Sequence, residues 1–250
     1  MKTREQKFRL AFVATLFGAL CFGLALADDG KQTKAQKSRT TQEAQTANQE
    51  KPAYTPPRRG APRTRVGGGT RGAYAAVVLQ VLAPEQTGLT MQAQPTLYWY
   101  ASRAVEGDVE LVLTERDAVN PLWRQRIDGG IEAGIQAFPL KNAGLELDTG
   151  VTYQWSVAVT HRSGQRARDV VAIGTVERVA DTALADPSSD PADRAAVLAA
   201  NGIWYDAIQV LSESIQSDAD AEMIRTYRRD LLEQVGLLDV AHAEAVAANY

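Results

Sequence analysis

The chain has 250 residues, with 27 Lys/Arg against 30 Asp/Glu, 45% hydrophobic residues and one cysteine, Cys21. A single cysteine excludes an intramolecular disulfide and a cysteine-built zinc site. The net charge of −3 divides unevenly: residues 28–72 carry ten Lys/Arg and four Asp/Glu, a net +6, and residues 73–250 carry 13 and 25, a net −12. An acidic body speaks against a nucleic-acid partner.

Residues 1–27 have the three-part layout of a secretory signal peptide. Lys2, Arg4, Lys7 and Arg9 precede an uncharged stretch from Leu10 to Leu24, and Ala25-Leu26-Ala27 places small residues where a signal peptidase reads. Cleavage there starts the mature chain at Asp28 and removes Cys21. Two rival readings are an uncleaved membrane anchor and a lipoprotein signal at Cys21. The first is at the lower limit of spanning length, and the second lacks a small residue before the cysteine, where Leu20 stands. The expectation is an exported protein, periplasmic in the first place, with secretion to the medium or N-terminal anchoring as alternatives.

Residues 28–72 read as a disordered, basic, Pro/Gly-rich tether. Asp28–Lys51 has no aliphatic residue larger than alanine, so it buries too little to offset its ordering entropy. Pro52, Pro56, Pro57 and Pro62 follow. Such an arm can be a plain solvated linker, meet an anionic surface, or dock on its own body.

From residue 73 to 180 the hydrophobic period is two. Val151, Tyr153, Trp155, Val157 and Val159 alternate with Thr152, Gln154, Ser156 and Thr160. Further strands are predicted at Ala75–Leu82, Leu97–Tyr100, Asp108–Thr114, Leu122–Ile127, Gly134–Leu140 and Asp169–Val176, separated by turn signals such as Asp128-Gly129-Gly130. Seven short strands without helical pattern between them predict a β-sandwich. Trp99 and Tyr153-x-Trp155 give it a look similar to immunoglobulin-like or fibronectin type III modules, a likeness of fold that says little about activity.

Residues 181–250 change to a period of 3.6 and predict a helical segment of two to four helices packed on the sandwich. Asp190-Pro191 is a helix start and Asn201-Gly202 a stop. Ile208, Leu211 and Ile215, then Ile224, Tyr227, Leu231 and Val235, form apolar stripes, and Val240–Ala248 predicts a short last helix. Gly202-x-x-Tyr205-x-Ala207 echoes half a tetratricopeptide unit, but no copy recurs at that period, so it reads as an ordinary helical hairpin.

Three words together carry a family resemblance. They are Arg65-Val66-Gly67-Gly68-Gly69-Thr70-Arg71-Gly72, Pro95-Thr96-Leu97-Tyr98-Trp99-Tyr100 and Gly202-Ile203-Trp204-Tyr205-Asp206-Ala207. In this order after a signal peptide, they resemble the bacterial domain-of-unknown-function family number 928 (DUF928), over roughly residues 58–240. The resemblance implies support for fold and compartment and no mechanism.

The residues themselves point away from known catalytic constellations. The glycine word precedes a strand and has no lysine, unlike a phosphate-binding loop. His161 and His242 lack the neighbours of a zinc site, and no Gly-x-Ser-x-Gly occurs. No catalytic residue, metal ligand or cofactor is assigned. Candidate contacts for a ligand or partner are Arg65, Gly67, Gly68, Gly69 and Arg71, whose N–H groups and charges suit an anion, and Tyr98, Tyr100, Trp204 and Tyr205. Tyr98 and Tyr100 lie on the strand face opposite Trp99, either open for stacking or covered by the C-terminal helices, with Trp204 and Tyr205 at hand for that cover. The expected activity is a non-enzymatic, exported interaction or accessory module, with a carbohydrate- or envelope-polymer-binding module and an unrecognised hydrolase as alternatives. Its expected partner is another envelope or membrane-associated protein, or an anionic surface or glycan met by the tether.

Overall fold

A computed structural model describes residues 52–57, 66–67, 77–160, 170–180, 182–184, 186, 189–217 and 222–247. Among them nine strands form two sheets, and four helices follow. The strands are β1 (Val66–Gly67), β2 (Leu79–Val81), β3 (Gly88–Thr90), β4 (Thr96–Ala101), β5 (Asp108–Glu115), β6 (Trp123–Ile127), β7 (Gly134–Pro139), β8 (Thr152–Thr160) and β9 (Val170–Arg178). One sheet has the order β1-β2-β4-β7 and the other β3-β9-β8-β5-β6. All pairs are antiparallel except β3 with β9. The predicted mainly-β sandwich with a helical C-terminal segment is the observed architecture.

The alternation in β8 places Tyr153, Trp155, Val157 and Val159 in the space between the sheets, where they meet Leu97 and Trp99 of β4 and Val109, Leu111 and Leu113 of β5. Burying each such side chain contributes about 1.5–3 kcal/mol. On β9 the side chain of Trp155 needs a glycine opposite: a Cβ on Gly174 would stand 2.9 Å from the indole Nε1. Strand β4 is buried on both faces, because the second face of its sheet is roofed by helices.

The helices are α1 (Pro191–Ala200), α2 (Trp204–Ser217), α3 (Glu222–Gln234) and α4 (Leu238–Ala247). Asp190 caps α1, its carboxylate accepting from the Ala192 amide at 2.8 Å, and Pro191 takes the first position. Gly202 closes the helix with φ +78°. Helix α2 is tied to the sandwich through Asp206, which accepts from Thr90 Oγ1 at 2.5 Å and from the Met91 amide at 3.0 Å. Gln209, one turn on, accepts from the Thr96 amide at 3.1 Å. Apolar side chains of the helices, including Trp204, Leu211 and Leu231, belong to the same core cluster as those of the strands.

Three differences from the sequence reading stand out. Strand β3 has only three residues, too few to show a period, and is held by the edge of β9 and by Asp206. Val66–Gly67, assigned to the tether, pairs with β2 in the register Val66↔Gln80 and Gly67↔Leu79. Pro52–Pro57, also assigned to the tether, is a strap bound to the helices. The Tyr54 amide donates to Gln234 Oε1 (2.8 Å), Gln234 Nε2 donates to the Pro52 carbonyl (2.7 Å) and the Thr55 amide donates to the Ala199 carbonyl (3.1 Å). The Tyr54 ring meets Trp204 edge-on, with centroids 4.9 Å apart.

A cleft under the helical cap

The outer face of the first sheet and the helices enclose a cleft of about 310 Å³. Strand pairing sets the floor. Tyr98 stands opposite Ala137 and Tyr100 opposite Ile135, so these four side chains share one face. The roof is built by Ser212 and Ile215 of α2, Arg225 and Arg228 of α3, and Ala243 and Glu244 of α4. The size is that of a large amino-acid side chain or a small ligand.

An ion pair fixes the roof. Arg228 donates from Nε to Glu244 Oε2 at 3.2 Å and from Nη2 to Glu244 Oε1, and its Nη1 donates to Ser212 Oγ at 3.0 Å. Both charged side chains are 10% exposed. Three of the five guanidinium donors are thus committed, and one residue joins three helices. A buried charge of this kind persists because its partner and hydrogen bonds offset desolvation.

Tyr98 is 3% exposed and Tyr100 8%. Burial pushes the Tyr98 phenol up to about 12; Glu213 adds to the rise, and hydrogen bonds with Ser212 and Thr96 and the charge of Arg228 oppose it. The Tyr100 phenol is raised by burial and then by Asp239, which accepts from Gln80 Nε2 at 3.1 Å. Both phenols are neutral at physiological pH and offer hydroxyl groups rather than charge.

Of the predicted contact residues, the fold brings Tyr98 and Tyr100 together in this cleft. Trp204 and Tyr205 lie elsewhere and do not cover them. Trp204 donates its indole N–H to the Leu82 carbonyl at 2.8 Å. Tyr205 enters the space between the sheets, where its hydroxyl accepts from Trp155 Nε1 at 2.8 Å and donates to the Thr175 carbonyl at 3.0 Å. Gly67 lies in β1, away from the residues lining the cleft. Arg65, Gly68, Gly69, Arg71 and His161 lie outside the described residues, and His242 is exposed on α4. Sequence reasoning missed Ser212, Arg228 and Glu244. A signal for Arg228 was present: it stands four residues after Ile224 and three before Leu231, inside the apolar stripe of α3.

Among the described residues no helix is long and apolar enough to cross a membrane, and no three His, Cys, Asp or Glu side chains are grouped to hold a metal ion. No curated protein matches the chain. The family model described as Domain of Unknown Function (DUF928) matches residues 66–245, which include both sheets, α1 to α3 and all but the last two residues of α4, and the chain belongs to that family.

Proposed function

We propose that this is an exported, non-enzymatic interaction module of the cell envelope, with the cleft under the helical cap as part of its partner-binding surface. The observation that carries the reading is the state of the aromatic side chains. Tyr98 and Tyr100 are nearly buried walls of a half-open cleft beside Arg225 and Arg228, and Trp204 and Tyr205 are spent in the core. A polymer-binding module needs an open aromatic platform, whereas a cleft that mixes phenol, guanidinium and aliphatic groups suits side chains of a protein partner. The N-terminal charge and hydropathy pattern supports export, and the basic segment 28–51 supports reach along an anionic surface.

The test is an in-cell crosslink of tagged full-length protein beside a form lacking residues 28–51, followed by identification of what is captured. The deletion stops short of Pro52 because the strap is part of the folded body. A discrete envelope protein captured by both forms is the expected result. Recovery of envelope polymer alone, or of nothing, overturns the reading.

A further inference from the structure

Strand β7 is the outermost strand of its sheet among the described residues. Its sequence, Gly134-Ile-Gln-Ala-Phe-Pro139, has no charged side chain. That is unusual for an edge, since sheet edges are normally blunted by charges. The neighbouring edge β6 is blunted in that way by Arg124 and Arg126, which pair with Glu110 and Asp108.

The hydrogen-bond pattern fixes which groups β7 turns outward. The Leu82 amide donates to the Tyr98 carbonyl at 2.8 Å, so Tyr98 turns its backbone toward β2. The Leu140 amide donates to the Pro95 carbonyl at 3.0 Å, so Pro95, and by alternation Leu97 and Trp99, turn theirs toward β7. Their partners Phe138 and Gln136 bond inward. The N–H and C=O groups of Ile135 and Ala137 therefore point away from the sheet. Pro139, on the same parity, has no N–H to offer, the position at which an edge tolerates proline.

Both faces of this edge adjoin a cavity. On the outer face is the tyrosine cleft, bordered by Gly134, Ile135 and Ala137. On the inner face, at the mouth of the sandwich, lies a second cavity of about 500 Å³, bordered by Gln136 and Ala137. Trp99, Val105 and Ile131 give it apolar walls, and Glu106 and Glu132, both exposed, supply carboxylates. A strand added beside β7 would place the residues opposite Ile135 and Ala137 over the first cavity and the residue opposite Gln136 over the second.

We propose that the open edge of β7 takes up an extended segment of a partner protein by strand addition, with alternate side chains apolar toward the tyrosine cleft and basic toward the Glu106/Glu132 cavity. Main-chain hydrogen bonds to Ile135 and Ala137 supply the attachment, and the two cavities read the alternation. A lysine or arginine lays its aliphatic stem along Trp99 and Val105 and its charge beside the glutamates. The net charge of −12 over residues 73–250 favours a basic segment. A second copy of this chain fits less well, since β7 paired with itself would place no basic side chain over the Glu106/Glu132 cavity. This inference rests on the interaction-module reading and specifies its surface.

The test uses the full chain and fluorescein-labelled peptides of the sequences KIKFKIK and EIEFEIE, followed by anisotropy. KIKFKIK is expected to bind and EIEFEIE, in which all four lysines become glutamates, to bind at least about tenfold more weakly. Ala137→Pro removes an outward N–H and no ladder bond, so the fold is expected to stand while KIKFKIK affinity drops about tenfold or more. If that variant fails to fold, Ala137→Lys blocks the same edge by charge. Equal binding to a folded edge variant, or no binding of KIKFKIK up to about 1 mM, overturns the proposal. In the in-cell crosslink, a discrete envelope protein captured equally by Ala137→Pro overturns the β7 site and leaves the interaction-module reading standing. Capture of nothing by either form overturns that reading instead.

Discussion

The hydroxyl of Tyr205 and the indole N–H of Trp155 meet at 2.8 Å inside the sandwich. One residue belongs to α2 and the other to β8, so a helix that follows the last strand is fastened to the middle of the core. The same hydroxyl donates to the Thr175 carbonyl of β9, and a Cβ on Gly88 would stand 2.8 Å from the Tyr205 ring. The helical segment is therefore a structural part of the sandwich.

Tyr205→Phe keeps the ring and removes the hydroxyl. Trp155 Nε1 and the Thr175 carbonyl both lose their partner in a buried setting. At about 1–3 kcal/mol for each unsatisfied group the loss is about 2–6 kcal/mol. Urea denaturation followed by tryptophan fluorescence measures it, and a loss below about 0.5 kcal/mol would show that the bond is not a fastening.

Arg228→Ala leaves the Glu244 carboxylate buried without its partner and frees Ser212. Breaking one side of a buried pair costs about 3–5 kcal/mol, whereas replacing both members by apolar residues is often neutral. Arg228→Met with Glu244→Leu is therefore expected to be more stable than Arg228→Ala alone. Denaturation midpoints of the two variants decide between a pair that matters through its neutrality and one that adds stability.

The strap depends on Tyr54 and on the turn at Gly202. A Cβ on Gly202, at φ +78°, would stand 3.0 Å from the Thr55 carbonyl. Gly202→Ala strains the left-handed turn by about 1–2 kcal/mol and presses on the strap. Tyr54→Ala removes the ring from Trp204. Both variants are expected to speed hydrogen exchange of the Thr55 amide, and unchanged protection there would show that the strap is held by other contacts.

Alkaline pH is expected to unfold the protein through its tyrosines. Burial raises the phenols of Tyr54, Tyr98, Tyr100, Tyr153, Tyr205 and Tyr227 in the folded chain. An unfolded tyrosine loses its proton near pH 10, and folded Tyr98 does so near 12. Between these values the unfolded state binds fewer protons than the folded one, so stability is fully present below about pH 10 and falls as pH rises toward 12. Phenolate absorbance of these six tyrosines should change in one step with circular dichroism. Phenolate from more than two of the eight tyrosines of the chain well before the fold is lost would contradict the burial argument.

The family words, the alternation of Val151–Val159 and the Asp190-Pro191 cap were legible because each is a local pattern that a regular element must repeat or close. Parity put Tyr153 and Trp155 on the apolar face of their strand and Trp99 on the face opposite Tyr98 and Tyr100, and the structure buries all three in the core. Strand β3 and the docking of Pro52–Pro57 were not legible: three residues show no period, and a strap is defined by the groove that Gln234, Ala199 and Trp204 make for it. Parity placed Tyr98 and Tyr100 opposite Trp99, but only tertiary structure decided that α2, α3 and α4 roof them with Ser212, Arg228 and Glu244 rather than with Trp204 and Tyr205. The sequence by itself thus determined the order and inner faces of the longer elements, because hydrophobic period and capping act within a few residues. Which elements meet across the outer face, and so where the cleft and the open edge of β7 lie, was decided by tertiary structure. Those positions depend on contacts between residues far apart in the chain, from Trp99 with Gln136 in the pairing of β4 and β7 to Thr96 with Gln209, which no local pattern encodes.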